Sequence, residues 1–382
     1  MIEKVLQALV FPPIFVVSIL MPKRNDLWLF SAWFGLRFED SPRALFEASH
    51  SQFELEIRPY WVFKGPRPSH PDIADKFFVS CYSLRGLFLQ LRARVFTLCV
   101  NSRDFWPGCI TPRNFVVQTW HGTPMKQIGY PTLKGNKFGI AKFWLRRYLT
   151  ESYDVVLSPS DYTDSVFCEC FQLPKERLLR FGYPRNSAMK LSDTRRLAIR
   201  KQLFKCDEAF VWLYLPTHRN EGLDADSTRY GYNQVLSLSS ILAENGIAVA
   251  FKPHFYEAQL LDDVEETESV YVLPTGSQWS LYEILGAVDG LITDYSSVAY
   301  DFEEVSDNII LFEFDLQEYK SMHRDLLRFP DEDFEHCVTD VRELGAVLMH
   351  LSKSRRPKNS NTTETSSDSL LQIIKGKVGK FG

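Results

Sequence analysis

The stretch Gln118-Thr-Trp-His-Gly-Thr-Pro-Met-Lys126 follows directly on a run of apolar residues. The run, Asn114-Phe-Val-Val-Gln-Thr119, predicts a buried strand of a parallel sheet, and Pro124 ends further pairing. Ligands of open α/β sheets lie beyond the carboxyl ends of the strands. His121 is therefore a candidate for proton transfer, and Gly122 beside it lets backbone approach a ligand. The alternative is a histidine that only caps a loop.

Strands and helices alternate on both sides of this stretch. Apolar runs predict strands at 26–30, 53–63, 76–80, 95–100, 114–119 and 154–158, and again at 209–215, 246–251, 270–273, 290–293 and 308–312. Segments with helical spacing separate most of these strands. Alternation of this kind predicts an α/β fold class with two Rossmann-like domains, each built on a parallel sheet, facing each other across a cleft.

Composition divides the chain into four segments. Residues 1–22 are apolar but contain Pro12-Pro13, which favours a membrane-interface anchor over a spanning helix; a packed helix is the alternative. Residues 23–190 and 191–351 are predicted to be the N-terminal and C-terminal domains. Residues 352–382 form a polar tail, predicted to be disordered except for a short terminal helix that docks back.

Positive charge is concentrated in one part of the chain. The 382 residues carry a formal net charge of −4, yet residues 81–150 contain eleven Lys and Arg and a single acid, Asp104. This excess predicts an anionic partner for one region, either a membrane surface or an anionic substrate. The sequence contains no recognisable nucleic-acid-binding module, so nucleic acid is not a predicted partner.

The cysteines do not predict a metal site or a disulfide framework. The chain has seven of them, which is an odd number, and no pair has the spacing of a zinc site. Most lie in apolar runs, so they are predicted to be buried free thiols of a protein from a reducing compartment.

Polar clusters follow three predicted strands of the second half. They are Thr217-His-Arg219, Lys252-Pro-His254 and Asp294-Tyr-Ser-Ser297. A guanidinium suits bidentate binding of phosphate, and a helix that starts at two serines offers N–H groups and hydroxyls to an anion. Together they predict a pyrophosphate cradle, although two serines at a helix start are more often only a cap.

Four motifs occur in one order that resembles a known family, the CDP-glycerol glycerophosphotransferases. They are Trp120-His-Gly-Thr-Pro-Met-Lys126, Pro216-Thr-His-Arg219, Phe251-Lys-Pro-His254 and Leu291-Ile-Thr-Asp-Tyr-Ser-Ser297 with Asp301-Phe302. The family comprises primases and polymerases of teichoic acid, with relatives in capsule synthesis. Three positions depart from its pattern, namely Ser41, His218 and Phe255. They bear on the donor, CDP-glycerol or CDP-ribitol, more than on the reaction.

The resemblance implies a glycosyltransferase-B-like fold that needs no metal and no cofactor. It implies that the C-terminal domain binds CDP-glycerol, or CDP-ribitol, and that the N-terminal domain binds a lipid-linked saccharide or polyol-phosphate acceptor. Glycerol phosphate would pass to an acceptor hydroxyl in the synthesis of a teichoic-acid or capsule-type polymer, and CMP would be released. The protein would then work as a peripheral protein on the cytoplasmic face of the cell membrane, on an anionic surface.

The resemblance also assigns roles to individual residues. His121 and His254 are the candidate catalytic residues, with His121 as general base. His254, Arg219, Ser296 and Ser297 would hold the diphosphate, and Asp301 would contact the hydroxyls of the alditol. The remaining candidate substrate-binding residues are Thr217, Lys252, Gly122 and Lys126.

Two other functions stay open at this point. A nucleotide-sugar glycosyltransferase or epimerase of the same architecture would release UDP instead of CMP. A non-catalytic protein that binds a polymer or lipid is the alternative from another class, and the two motif histidines and the two serines weigh against it.

Overall fold

The structure is a computed structural model of the 382-residue chain. It describes residues 2–51, 56–125, 127–204, 209–217, 225–253, 264–274, 278–322, 327, 333–353 and 366–381.

Thirteen strands are present in the part of the chain that the structure describes. They are β1 (Arg24–Phe30), β2 (Arg58–Phe63), β3 (Phe78–Ser80), β4 (Ala93–Leu98), β5 (Phe115–Gln118), β6 (Val155–Ser158), β7 (Leu178–Arg180), β8 (Phe210–Leu215), β9 (Ile247–Phe251), β10 (Val270–Val272), β11 (Gly290–Thr293), β12 (Ile309–Phe312) and β13 (Cys337–Val338). The sequence pattern does not predict β7 or β13, because strands of two or three residues carry too short an apolar run to detect.

The α-helices alternate with these strands for most of the chain. They are α1 (Ile2–Leu20), α2 (Asp40–Ser51), α3 (Leu84–Arg92), α4 (Lys137–Leu149), α5 (Asp161–Phe171), α6 (Asp193–Leu203), α7 (Ala225–Leu236), α8 (Ser239–Glu244), α9 (Leu281–Ala287), α10 (Val298–Phe302), α11 (Leu316–Met322), α12 (Val341–Leu351) and α13 (Ser367–Val378).

The chain forms two compact units. Unit 1 comprises Met1–His121, Ile128–Ser187 and Thr363–Gly382, and unit 2 comprises Gly122–Gln127 and Ala188–Thr362. Each unit is built on one sheet whose paired strands are all parallel. The predicted fold class, α/β with two Rossmann-like parallel-sheet domains, is confirmed.

The sheet of unit 1 has seven strands in the order β3-β2-β1-β4-β5-β6-β7. Strand β1 is buried on both faces, because Trp28 and Phe30 enter one apolar cluster while Leu27 and Leu29 enter another. Burial on both faces explains the nearly continuous apolar run of a parallel strand. The predicted terminal helix is present as α13, which packs against α2 in this unit.

The sheet of unit 2 has six strands in the order β10-β9-β8-β11-β12-β13. Its first strand, β8, alternates in the same way, with Val211 and Leu213 in one cluster and Trp212 and Tyr214 in the other. In both units the chain builds outward on one side of the first strand and then crosses to the other side. The crossing makes a topological switch point between β1 and β4 in unit 1, and between β8 and β11 in unit 2. Such switch points are where open α/β sheets bind ligands.

Helix α1 differs from the interrupted segment that the sequence predicts. Pro12 and Pro13 lie inside the helix, which continues through them to Leu20. Ser18 of this helix donates a hydrogen bond to the carbonyl of Cys109, 2.7 Å away, and so ties the helix to unit 1. Among the described helices, none combines the length and the apolar composition that crossing a membrane requires.

Candidate active site

The sequence-predicted histidine lies at the switch point of unit 1. Three neighbouring strands of the sheet end there, β1, β4 and β5, and the residues that follow them contact one another. His121 follows β5, and its Nδ1 lies 2.9 Å from the carbonyl oxygen of Cys99, which follows β4. A carbonyl oxygen only accepts, so Nδ1 carries the proton and Nε2 is the unprotonated nitrogen. That nitrogen has no hydrogen-bond partner among the described residues.

Left-handed backbone conformations concentrate around this histidine. Six residues other than glycine have positive φ in the described chain, and four of them lie in the loops after β1 and β5: Trp33, Phe34, Asp40 and Trp120. Such conformations cost free energy in residues with a Cβ and cluster at functional sites. Gly122, with φ 131°, occupies a region that favours glycine, which explains the glycine next to His121.

Gln118 supports the loop that carries His121. Its side chain is fully buried at the end of β5. The amide nitrogen donates to the carbonyl of Val100 at 3.2 Å, and the amide oxygen accepts from the N–H of Trp120 at 2.9 Å. Trp120 in turn stacks on the imidazole, with ring centroids 4.2 Å apart. The imidazole thus has a defined orientation rather than a free rotamer.

The surroundings keep the imidazole neutral. Burial lowers the pKa of His121 below its ordinary value, and Arg185 acts in the same direction. The Cys99 carbonyl and Asp40 act in the opposite direction, and burial outweighs them. Part of the residue remains accessible to solvent, so a neutral imidazole is available to a substrate. This is the state that a general base needs.

A buried ion pair lies close to the histidine. Arg185 donates through Nη1 to both carboxylate oxygens of Asp40, at 3.0 and 3.1 Å. The two side chains are only 5% and 4% exposed. The ring of Trp33, which follows β1, packs against the imidazole with ring centroids 5.2 Å apart. The pair and the ring form one wall of the site in unit 1.

A second buried carboxylate joins the loops after β1 and β4. Asp104 Oδ1 accepts from the N–H of Phe34 at 2.7 Å, and Oδ2 accepts from the N–H groups of Cys99 and Val100 at 3.2 and 3.4 Å. The side chain is completely buried, and burial raises the pKa of Asp104 to about 7 despite these three bonds.

The described members of the polar clusters predicted in the second half follow neighbouring strands at the switch point of unit 2. Thr217 follows β8, Lys252 follows β9 and Asp294 follows β11, and these strands are neighbours in the order β9-β8-β11. Asp294 Oδ1 accepts from the N–H of Thr217 at 2.8 Å and from the N–H of Tyr295 at 2.6 Å. The hydroxyl of Thr217 also donates to Asp294. Thr217 and Lys252 are half-buried.

The two serines have different surroundings. Ser296 Oγ accepts from the N–H of Val298 at 3.3 Å. Ser297 occupies the N-cap position of α10, but its side chain makes no capping bond, and its hydroxyl has no partner among the described residues. Asp301, one turn further along α10, is buried and accepts from the hydroxyl of Tyr282 at 3.0 Å. Ser297 therefore has a hydroxyl to offer, whereas Asp301 is already engaged.

Three of the predicted site residues lie outside the described residues: His254, Arg219 and Lys126. Their roles remain predictions from the sequence. Among the described residues, no group of three or more His, Cys, Asp or Glu side chains could hold a metal ion.

Sequence reasoning missed Asp40, Asp104, Gln118 and Arg185 as members of the site. One signal was available for Asp104, since it is the only acid among eleven basic residues in positions 81–150. A lone carboxylate in a basic segment is a candidate for a buried structural role. Asp40 and Arg185 lie 145 residues apart, so no local pattern joins them.

Comparisons with known proteins bear on the family and the fold of the chain. The family model described as CDP-Glycerol:Poly(glycerophosphate) glycerophosphotransferase matches residues 14–377. A teichoic acid poly(glycerol phosphate) polymerase from Bacillus spizizenii is 27% identical over 97% of this chain and 94% of its own length. A teichoic acid glycerol-phosphate transferase from Staphylococcus aureus is 25% identical over 78% of this chain and 76% of its own length.

A solved structure with a similar fold is that of the wall teichoic acid polymerase TagF. It superposes with a TM-score of 0.71 and 20% identity, covering 100% of this chain and 98% of that chain. The match extends over both parallel-sheet units. Family model, relatives and fold agree, and the chain belongs to the CDP-glycerol:poly(glycerophosphate) glycerophosphotransferase family of teichoic acid synthesis.

Proposed function

We propose that this protein transfers glycerol phosphate from CDP-glycerol to a terminal hydroxyl of a lipid-linked or polymeric acceptor and releases CMP. The observation that carries the proposal is the tautomer of His121. The bond from Nδ1 to the Cys99 carbonyl leaves Nε2 unprotonated on the neutral imidazole of a half-buried residue. A nitrogen in this state is suited to accept a proton from a hydroxyl.

The reaction then follows from the charges. The acceptor oxygen attacks the phosphorus that carries the glycerol, while its proton passes to His121 Nε2. The bond between that phosphorus and the oxygen of the CMP phosphate breaks, and CMP leaves as the anion. His121 returns its proton to solvent. Negative charge grows on the phosphoryl oxygens, so N–H groups, hydroxyls and cations near them lower the barrier.

Unit 2 supplies the donor-binding groups in this proposal. Ser297 offers a hydroxyl that has no partner in the described part of the chain, and Asp294 orients Thr217 at the neighbouring strand end. Arg219 and His254 follow the same strand ends in the sequence and are proposed to contact the diphosphate. Asp301 is proposed to contact the glycerol hydroxyls, which requires it to exchange or share its bond with Tyr282.

Release of nucleotide distinguishes this function from its alternatives. The purified protein is incubated with radiolabelled CDP-glycerol or CDP-ribitol and a lipid-linked disaccharide, and CMP and product length are followed. We expect CMP and labelled product with CDP-glycerol. If product forms only with CDP-ribitol, the donor is CDP-ribitol and not CDP-glycerol. Release of UDP from a UDP-sugar without formation of CMP would reject the proposal. A count of added units separates a single addition from polymerisation.

We also propose that α4 attaches the protein peripherally to an anionic membrane surface, on the cytoplasmic face. None of its thirteen residues is buried. Phe138, Leu145 and Tyr148 are 81%, 60% and 75% exposed, and Lys137 and Lys142 stand exposed among them. Exposed aromatic and basic residues on one helix are typical of helices that lie in a membrane interface.

The contacts of α4 decide which charges to test. Arg147 donates to the carbonyls of Phe171 and Glu151, so changing it would disturb the fold as well. The variant Lys137→Glu/Lys142→Glu avoids this. It should bind anionic vesicles roughly thirtyfold more weakly, given ~1 kcal/mol for each lysine at the surface.

Co-sedimentation with vesicles that contain phosphatidylserine measures this binding. Lys377→Glu/Lys380→Glu is the matched control, because it makes the same charge change at the end of α13 in the same unit. Equal binding of the two variants would reject α4 as the attachment site.

A further inference from the structure

We propose that Asp104 is a positioning residue for the general base, acting on His121 through the peptide unit between Cys99 and Val100. The inference deepens the proposed function and depends on it, since it concerns how that base is oriented. Asp104 itself does not contact His121, and its carboxylate has no role in the proposed reaction.

The geometry of one peptide unit carries the argument. The carbonyl of Cys99 and the N–H of Val100 belong to the same planar group and point in opposite directions. The carbonyl accepts from His121 Nδ1 at 2.9 Å, and the N–H donates to Asp104 Oδ2 at 3.4 Å. The N–H of Cys99 donates to the same oxygen at 3.2 Å. The carboxylate therefore restrains the peptide that selects the histidine tautomer.

Asp104 also acts on a second contact of the imidazole, that with Trp33. Its Oδ1 accepts from the N–H of Phe34 at 2.7 Å, in a loop where Trp33, Phe34 and Gly35 all have positive φ. Trp33 in this loop packs against the imidazole. A loop in this conformation needs support from its surroundings, and the buried carboxylate supplies it. Two of the neighbours of His121, the Cys99 carbonyl and the Trp33 loop, are thus held by one side chain.

The charge of the carboxylate strengthens the relay, by which we mean the path from Asp104 through the Cys99–Val100 peptide unit to His121. An ionised Asp104 makes stronger hydrogen bonds than a protonated one, and it polarises the peptide so that the Cys99 carbonyl becomes a better acceptor. Because burial raises the pKa of Asp104 to about 7, this strengthening develops as the pH rises through that value. The charged groups near these residues are Lys64 beside Asp104, and Asp40 and Arg185 beside His121. Lys64 donates to the carbonyls of Arg103 and Phe105, which flank the aspartate.

The variant Asp104→Asn tests the inference with little change of volume. Asn has one accepting oxygen, so its NH₂ group must face either Phe34 N–H or the Cys99 and Val100 N–H groups, donor against donor. We expect His121 to become a mixture of tautomers, and kcat to fall about tenfold or more because the wrong tautomer cannot accept the proton. The KM for CDP-glycerol should stay within about twofold, since unit 2 is unchanged.

Asp154→Asn is the matched control. Asp154 is also a carboxylate of unit 1 whose oxygen accepts a backbone N–H, that of Val116 at 2.9 Å, and burial raises its pKa too. It precedes β6, so it lies at the amino ends of the parallel strands, whereas His121 lies at their carboxyl ends. A general loss of stability would affect both variants, whereas only Asp104→Asn should change the histidine.

The deciding measurement is ¹⁵N NMR of the full-length protein labelled at histidine, with the His121 signals assigned from His121→Gln. A protonated Nδ1 in wild type and in Asp154→Asn, with a mixture in Asp104→Asn, supports the inference. A protonated Nδ1 in Asp104→Asn would overturn it. Failure of wild type to release CMP would reject the proposed function, while the tautomer would still decide this inference.

A second variant covers the case in which Asp104→Asn does not fold. Replacing Cys99 by its α-hydroxy analogue turns its N–H, which donates to Asp104 Oδ2 at 3.2 Å, into an ester oxygen and leaves Asp104 in place. The Cys99 carbonyl remains an amide carbonyl, so this variant weakens the link to the carboxylate without changing the acceptor of His121 Nδ1. A tautomer mixture supports the relay, and an unchanged tautomer overturns it.

Discussion

A buried aspartate orders the backbone at each of the two switch points, but the side chains around the two aspartates differ. In unit 1 the buried Asp104 accepts N–H groups from the loops after β1 and β4, and in unit 2 the buried Asp294 accepts N–H groups from the loops after β8 and β11. In each case a carboxylate joins the two strands between which the chain crosses the sheet. A buried carboxylate that accepts several N–H groups orders the backbone around a site.

The difference lies in what each aspartate organises. Around Asp104 the loops present one imidazole, two indole rings and the Asp40–Arg185 pair. Around Asp294 the Thr217 hydroxyl donates to the aspartate, while the hydroxyls of Ser296 and Ser297 donate to no partner among the described residues. One edge is suited to hold a single nitrogen in one orientation, and the other to offer several donors to an anion. The comparison indicates that one arrangement of strand ends underlies the two roles proposed above, proton transfer for unit 1 and donor binding for unit 2.

The largest expected effect concerns the ion pair of unit 1. Asp40→Asn leaves the buried Arg185 without its carboxylate, which should lower the free energy of unfolding of unit 1 by about 3–5 kcal/mol. Hydrogen exchange of the β1 and β4 amides in increasing urea measures this.

Asp75→Asn is the control for this change, because it breaks the exposed Arg67–Asp75 pair of the same unit and should cost less than ~1 kcal/mol. Equal losses in the two variants would mean that the pair does not stabilise the wall beside His121.

Replacing the base should have the next largest effect. His121→Asn should lower kcat at least ~10²-fold, because no neutral imidazole remains to accept the proton. Affinity for CDP-glycerol, measured by calorimetry, should stay nearly unchanged, since that function is assigned to unit 2. Retention of more than about a tenth of wild-type kcat in a folded variant would reject the assignment.

A smaller effect is expected in unit 2, on donor affinity and not on kcat. Ser297→Ala removes a hydroxyl that has no partner among the described residues, so folding should be unaffected. Donor affinity should fall about fivefold, the value of one hydrogen bond of ~1 kcal/mol, with little change in kcat.

Ser306→Ala is the control for unit 2. Its hydroxyl donates to the carbonyl of Asp289, which precedes β11 and so lies at the amino end of that strand, away from Ser297. Equal donor affinity in Ser297→Ala and Ser306→Ala would remove Ser297 from the donor site.

The smallest expected effect is a shift along the pH axis. Because burial lowers the pKa of His121 below 6.5, the contribution of its neutral form to stability is complete above pH 6.5 and is lost as pH falls through the folded pKa. The acid limb of kcat/KM, which reports groups of the free enzyme, should therefore have its midpoint below 6.5. A profile of kcat/KM against pH measures it, and a midpoint at or above 6.5 would contradict a buried neutral base.

Much of the fold was predictable because its signals are local. Apolar runs, caps and helical spacing lie within a few neighbouring residues, and they predicted the strands that carry His121, Thr217, Lys252 and Asp294. The shortest strands were not predicted, because a strand such as β13, which spans only Cys337–Val338, has too short an apolar run. The terminal helix was predicted, and its docking follows from Leu370, Leu371 and Ile374, which are buried in unit 1.

The sequence by itself determined the strand order along the chain, the residues that follow each strand and the family to which they belong. Only the tertiary structure decided which of those residues meet. Phe34 and Asp104 are 70 positions apart, and Asp40 and Arg185 are 145 apart. A side chain finds such partners only when the topology brings two strand ends to one switch point. The tautomer of His121 was decided there too, because it depends on the direction of a single carbonyl, that of Cys99.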